Sequence, residues 1–268
     1  MTTSSGYVIR GGRAGADRLQ VLARALRPGT EALLDRVGVP VGARCLDVGC
    51  GAGDVALELA RRVGGHGRVT GVDMDAVKLQ VARERAVAAG LDNITFVVGE
   101  IARLPDLPAQ DVVYSRNVVQ HLTQPVNALR AMWAQVDAGG VLVAEDADFP
   151  GAFSYPRQPA VDFWIERYSE VLRLHGGDPE SGRKLVSHFL AAGLPDPTVH
   201  VIARAHVDGE GKQIPYLTVQ ATAEAMMAAG VATPEEIEEA AARLRELSTD
   251  STVLFGMPLT VQVWSRRG

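Results

Sequence analysis

The chain is short of cysteine, of aromatic residues and of clustered charge, and each shortage narrows what it can be. Its 268 residues include two cysteines, Cys45 and Cys50. Neither their spacing nor any histidine partner points to a metal, so no metal is expected and both are read as buried or turn-packed thiols. A net charge of -5 with no run of Lys or Arg argues against nucleic acid as a partner and favours small-molecule chemistry. No apolar run approaches membrane-spanning length, and the opening Met1 to Gly6 is small and polar without an apolar signal core. A cytoplasmic protein with no membrane partner is expected. No internal repeat or low-complexity linker divides the chain, whose length suffices for one large core or a core with a cap.

What is present is a glycine-rich turn in the right surroundings. Asp47-Val48-Gly49-Cys50-Gly51-Ala52-Gly53-Asp54 follows an apolar strand around Arg44 to Leu46 and opens a helix over Val55 to Arg62; a second acid, Asp73, ends the next apolar strand. Strand, glycine turn, helix, strand and acid form the nucleotide-recognition half of a doubly wound sheet, with the acid placed to accept from ribose hydroxyls. The ligand should therefore contain adenosine. A dinucleotide fold requires G-x-G-x-x-G with a pyrophosphate on the helix N-terminus. Here the glycines read G-x-G-x-G, Asp54 occupies the third dinucleotide position, and no Lys follows to make a P-loop. Carboxylates on both sides of the turn repel a pyrophosphate and suit a ligand carrying an ammonium and a sulfonium.

Leu46-Asp47-Val48-Gly49-Cys50-Gly51-Ala52-Gly53 closely resembles the first motif of class I S-adenosylmethionine methyltransferases. The likeness is specific over residues 43 to 146 and architectural beyond. Glu145-Asp146-Ala147-Asp148-Phe149, Gly176-Gly177-Asp178-Pro179 and the terminal Gln262-Val263-Trp264 look like bacterial stand-alone small-molecule methyltransferases. The resemblance implies an α/β fold: a Rossmann-like, doubly wound, seven-stranded sheet, mostly parallel, with its last strand antiparallel.

The pattern along the chain fits that architecture. Leu19, Leu22, Ala23 and Leu26 recur at helical spacing, and Pro28 is expected to split the region from Ala14 to Val37 into two helices. Strands are expected at Arg44 to Val48, Arg68 to Val72, Ile94 to Val98, Asp111 to Ser115 and Val141 to Glu145, alternating with helices. Asp75 is a candidate N-cap for the helix that stops at Gly90. A helix around Arg183 to Ala192 and a strand near Thr198 to Ala205 resume the alternation. A helical pair follows, its second member opened by the capping box Thr233-Pro234-Glu235-Glu236, and a last strand runs from Leu259 to Trp264. The reading is one domain over 1–268: an N-terminal arm and helices (1–42), a cofactor-binding core (43–146), a cap inserted after the fifth strand (147–180) and the rest of the sheet with the helical pair (181–268).

The resemblance assigns roles by position. Asp47, Gly49, Cys50, Gly51 and Gly53 would hold the methionine part of S-adenosylmethionine; a side chain at Gly49 or Gly51 would occupy ligand volume. Asp73 would bind the ribose, and Met74 either lies against adenine or fills core space. Glu100 and Ile101 stand where an acid and the next backbone N–H usually meet the adenine ring, although most members have Asp where this chain has the longer Glu. Arg116 and Asn117 would sit beside the methionine end. In the segment after the fourth strand, Gln120 replaces the first histidine of the family's V-L-H-H-L and His121 matches the second. His121 is a candidate general base because its ordinary pKa is near neutrality; packing beneath the cofactor is its other reading. Asp146 is a second candidate base, with Asp148 as an alternative. Tyr7, Tyr155, Trp164 and Tyr168, with His175, are candidates for the wall facing the methyl acceptor, or simply helix packing.

Methyl transfer from a sulfonium is an in-line displacement, for which alignment alone can supply about 7 to 11 kcal/mol. The expected activity is S-adenosylmethionine-dependent methyl transfer to O, N or C of a small, partly apolar metabolite. A protein of the same fold that keeps the cofactor for a non-methylating or binding role is the alternative, and a nicotinamide oxidoreductase is a third. Oligomeric state is not readable from the sequence.

Overall fold

The computed structural model describes residues 12–104 and 107–268. Five strands, β1 (Arg44–Val48), β2 (Arg68–Asp73), β3 (Ile94–Val98), β4 (Gln110–Arg116) and β5 (Val136–Asp148), run parallel. With β7 (Thr198–Ile202) and β10 (Leu259–Arg266) they form a seven-stranded sheet in the order β3-β2-β1-β4-β5-β10-β7. β10 is antiparallel to both neighbours. Strands buried on both faces read as continuous apolar runs, as Val141-Leu142-Val143-Ala144 does.

Helices cover both faces. α2 (Asp54–Val63) and α3 (Ala76–Ala88) pack on one face with the end of α1 (Gly12–Val37), whose Leu33, Leu34 and Val37 join that core. Asp75 caps α3 by accepting from the N–H groups of Val77 and Lys78. α4 (Pro125–Ala134) and α6 (Ser181–Ala192) cover the other face through Leu129, Met132, Leu185 and Phe189. Among the described residues no helix is long and apolar enough to cross a membrane.

Two expectations are corrected. α1 is continuous through Pro28 rather than split. A proline removes only its own N–H, the donor to the carbonyl four residues earlier, and two side chains grip the helix on either side of it, Arg204 donating to Leu26 O and Gln262 to Gly29 O. The strand expected near Thr198 to Ala205 is divided. β7 ends at Ile202, while β8 (Ala205–His206) joins β6 (Phe153–Tyr155) and β9 (Leu254–Gly256) in a separate three-stranded sheet, order β6-β9-β8. The helical pair is α7 (Ile214–Ala228) and α8 (Pro234–Leu247). Together with α5 (Pro159–Leu174) and Leu26 of α1 it encloses a second apolar cluster that includes Phe149, Trp164, Tyr168, Ile214, Ile237, Leu244 and Phe255. The segment 147–180 is thus one of several contributors to that layer.

Candidate active site

A cavity of about 940 Å³ lies where β1, β2 and β4 end, between the sheet and the second apolar cluster. Its floor begins at the turn after β1. Gly49, Gly51 and Gly53 have φ of 71°, 52° and 80°, a left-handed conformation that side chains disfavour. The space beside Gly49 belongs to Val118, whose Cγ2 would lie 2.3 Å from an added Cβ. At this position protein packing, rather than ligand volume, requires glycine. Gly53 does not line the cavity; a Cβ there would meet Ala82 at 3.0 Å and Phe96 at 3.2 Å, so it sets how closely α2 approaches its neighbours.

The amides of this turn are committed within the protein. Gly49 and Cys50 donate to Val72 O at 2.7 and 3.0 Å, Gly53 donates to Cys50 O at 2.9 Å, and Gly51 donates to Asp73 Oδ2 at 2.8 Å. A pyrophosphate loop instead aims such N–H groups at the ligand. Asp54, expected to add its charge beside the turn, is occupied by Arg85 at 2.6 Å. The acids left to define the floor are Asp47 and Asp73.

Asp47 is 2% exposed, and its Oδ2 has no hydrogen-bond partner among the described residues. Burial pushes its carboxyl up to about 7, against the pull of the Arg116 guanidinium. A buried acid with a free oxygen is suited to a cationic ligand group. Asp73 accepts from Asp75 N at 2.9 Å as well as from Gly51 N, and each oxygen keeps a lone pair for a further donor. Met74 is 51% exposed and lines the cavity, as do Cys50, Glu100 and Ile101. Arg116 donates to Thr30 Oγ1 at 3.0 Å. Asn117, with φ of 54°, donates its N–H to Glu145 O at 2.8 Å. Both line the cavity beside Asp47.

Sequence reasoning missed the support below these groups. Glu145 is buried and accepts from Thr30 Oγ1 at 2.8 Å, from Gln262 Nε2 at 2.5 Å and from the Tyr114 hydroxyl. Thr30 also receives Arg116, so the network ties α1 to the cavity floor. Glu145 and Gln262 stand in segments that resemble the family, but nothing along the chain shows that they meet Thr30 and Tyr114, because the members come from four distant segments.

The upper chamber is largely apolar. Phe149, Trp164, Tyr168, Ile214 and Met257 line it, with His121, His175, Thr218 and Glu224 as polar members. The α7 residues carry no sequence signal beyond helical pattern. Trp164 and Tyr168 are each 1% exposed and are wedged against Phe149, ring centroids 5.5 and 4.4 Å away, while Phe255 lies 5.7 Å from Trp164. They therefore combine core and lining roles.

The remaining candidates are placed elsewhere. Tyr155 is 73% exposed on β6 and does not line the cavity, because that strand carries its side chain outward. Tyr7 lies outside the described residues. Asp146 is fully buried, away from the cavity lining, and accepts from Gln120 N at 2.8 Å and Ala147 N at 2.9 Å. It braces the short turn Val119–His121 and cannot reach an acceptor as a base. Asp148 is held by Arg183, with Nη2 at 2.6 Å from Oδ1. His121 is the candidate base that does line the cavity.

Known proteins supply independent comparison. Residues 41–174 match the family model described as methyltransferase domain. An uncharacterized methyltransferase of Schizosaccharomyces pombe is 31% identical over 165 residues, covering 59% of this chain and 58% of that protein. Demethylmenaquinone methyltransferase of Geobacillus kaustophilus is 32% identical over 131 residues, covering 47% of this chain and 54% of that protein. The chain thus spans little more than half the length of these relatives. The solved structure of geranyl diphosphate C-methyltransferase from Streptomyces coelicolor, bound to S-adenosylhomocysteine, matches with a TM-score of 0.56 at 16% identity. That match covers 94% of this chain and 84% of the other, a likeness of fold. The chain belongs to this methyltransferase family.

Proposed function

We propose, with that membership as premise, that the chain transfers a methyl group from S-adenosylmethionine to a small, largely apolar acceptor. One observation carries the reading: a single cavity joins a floor containing a buried carboxylate with a free oxygen to a chamber walled by apolar side chains. Asp47 would take the cofactor's ammonium, and Arg116 and Asn117 would flank its methionine end. Asp73 would accept from the ribose hydroxyls, with Glu100, Ile101 and Met74 around the adenine. Cys50 and Gly51 form the turn beneath. When bound, the cofactor supplies a methyl group on a sulfonium that departs as a neutral thioether. The chamber's part is to exclude water and align the acceptor, and His121, which lines the cavity, would take a proton from it.

The acceptor class follows from the lining. Phe149, Trp164, Tyr168, Ile214 and Met257 suit an apolar ring or short chain, a class to which the quinone acceptor named for the Geobacillus relative also belongs. All of 1–268 is read as one domain, because the chamber draws on α1, α5 and α7 together.

Calorimetry with S-adenosylmethionine, S-adenosylhomocysteine and NAD, followed by transfer of labelled methyl to a panel of phenols, quinols and amines, tests the reading. Binding of the first two but not NAD, with label entering an apolar acceptor, is expected. Absence of S-adenosylmethionine binding would overturn it; binding without transfer to any acceptor would favour the non-methylating alternative.

A further inference from the structure

The short turn after β4 holds a residue whose backbone is fully used and whose side chain is not. Gln120 is 3% exposed. Its N–H donates to Asp146 Oδ2 at 2.8 Å and its carbonyl accepts from Asp178 N at 2.8 Å. The chain is tight there as well, since a Cβ on Gly177 would come within 2.5 Å of that carbonyl oxygen. The residue is therefore fixed in place. Its side-chain Oε1 is nevertheless buried with no hydrogen-bond partner among the described residues, while Gln120 lines the cavity next to His121 and near Asn117. Trp164 presents the complementary case in the chamber. It lines the same cavity, and its buried indole N–H has no acceptor among the described residues.

Each unpaired buried polar atom costs stability. Met at 120, at a similar volume, and Phe at 164, with a smaller ring, would lack that penalty. An unpaired acceptor and an unpaired donor on residues that line a largely apolar cavity are what a ligand with matching groups would satisfy, once a small side-chain rotation turns each atom, closed to water in this structure, toward it.

We infer that Gln120 and Trp164 form the polar recognition pair for the methyl acceptor, an uncharged and mostly apolar ring compound. A hydroxyl of that compound donates to Gln120 Oε1 at the transfer end, and a carbonyl or ether oxygen accepts from Trp164 Nε1 in the chamber. The inference rests on the methyl-transfer reading above. It concerns recognition, whichever atom of the acceptor takes the methyl group.

The test uses the full chain saturated with S-adenosylhomocysteine and four probes of one shape, with binding followed by calorimetry. Hydroxytetralone carries both groups, tetralone the carbonyl, tetrahydronaphthol the hydroxyl and tetralin neither. Each group is expected to tighten binding about fivefold to tenfold, the scale of one hydrogen bond to a buried partner. Gln120→Met should erase the gain from the hydroxyl and keep that from the carbonyl; Trp164→Phe should do the reverse. Both variants should bind S-adenosylhomocysteine within about twofold of wild type. Equal affinity of the wild type for all four probes, or no binding of any, would overturn the inference without recourse to a variant, and so would gains that survive both substitutions. Failure of the wild type to bind S-adenosylhomocysteine would instead remove the methyl-transfer reading, and this inference with it.

Discussion

The floor and the chamber of the cavity are built by opposite means. The floor comes from one stretch of chain between β1 and the turn at His121, and its geometry is set by backbone: left-handed glycines, amides committed to Val72 and Asp73, and strand ends in parallel register. The chamber comes from segments far apart in sequence, and side chains set it: α5 and α7 meet Phe149 and Met257 over an apolar cluster with a small sheet of its own beside it. A backbone-built site tolerates variation around it and keeps one ligand. A side-chain-built site can be reshaped by single substitutions, which is how a common cofactor fold serves many acceptors.

If the two regions are as separate as this, damage to the chamber should spare the floor. Trp164→Ala removes a fully buried indole from the contacts with Phe149 and Phe255 and should cost about 3 to 5 kcal/mol of stability, the range for large aromatic truncations in cores. Under conditions where the variant remains folded, its affinity for S-adenosylhomocysteine should stay within about threefold of wild type. Urea unfolding and calorimetry measure the two quantities. A stability loss under about 1 kcal/mol would mean a chamber without a packed core; loss of cofactor affinity in folded protein would mean the regions are coupled.

The same contrast explains what the sequence made legible. Asp47, the glycine turn and Asp73 are close along the chain, and strand-turn-helix chemistry is local, so the sheet, the capped α3 and the grouping of these residues at one end of the cavity could be read directly. Gly49 was placed correctly in the turn for an incomplete reason, since Val118, which fills the space beside it, comes from beyond β4. The chamber depends on tertiary contacts. An acid near the end of a strand looks the same whether it faces the cavity, as Asp73 does, or is turned inward to hold amides, as Asp146 is. Tyr155 and Tyr168 likewise carry similar signals, and only packing sends one outward and buries the other. The Thr30–Glu145–Gln262 network and the continuity of α1 through Pro28 share that cause.

Damage to the floor should act in the other direction. Asp73→Ala deletes the carboxylate proposed to receive the ribose hydroxyls and should weaken S-adenosylmethionine binding by about 1.5 to 3 kcal/mol, the scale for hydrogen bonds to a charged group. The protein should still fold, because the β2 end is held by its neighbours in the sheet. Acceptor affinity, measured with the cofactor site saturated, should not change. Unaltered cofactor affinity in calorimetry would make the ribose assignment wrong.

The finest distinction is electrostatic, because burial pushes both Asp47 and Asp146 up to about 7 while only Asp47 faces the cavity. Both folded values lie above the unfolded carboxyl, about 3.9. Between roughly pH 4 and 7 the folded protein therefore holds protons that the unfolded chain has lost, and these groups' contribution to stability is full below that window and lost as pH rises through it. Cofactor affinity should move the opposite way. A cationic ammonium needs Asp47 ionised, so affinity should rise by up to about tenfold per pH unit below 7 and level off above it. Asp47→Asn should flatten the affinity profile and only part of the stability profile, because Asp146 still titrates in its brace. Calorimetric titrations from pH 5.5 to 8 (about half-unit steps), with unfolding curves at the same points, would record both profiles. An affinity profile that stayed steep in Asp47→Asn would place the responsible group elsewhere on the floor. A flat profile in the wild type would mean that Asp47 is already ionised before the ligand arrives, with the charge of Arg116 outweighing burial.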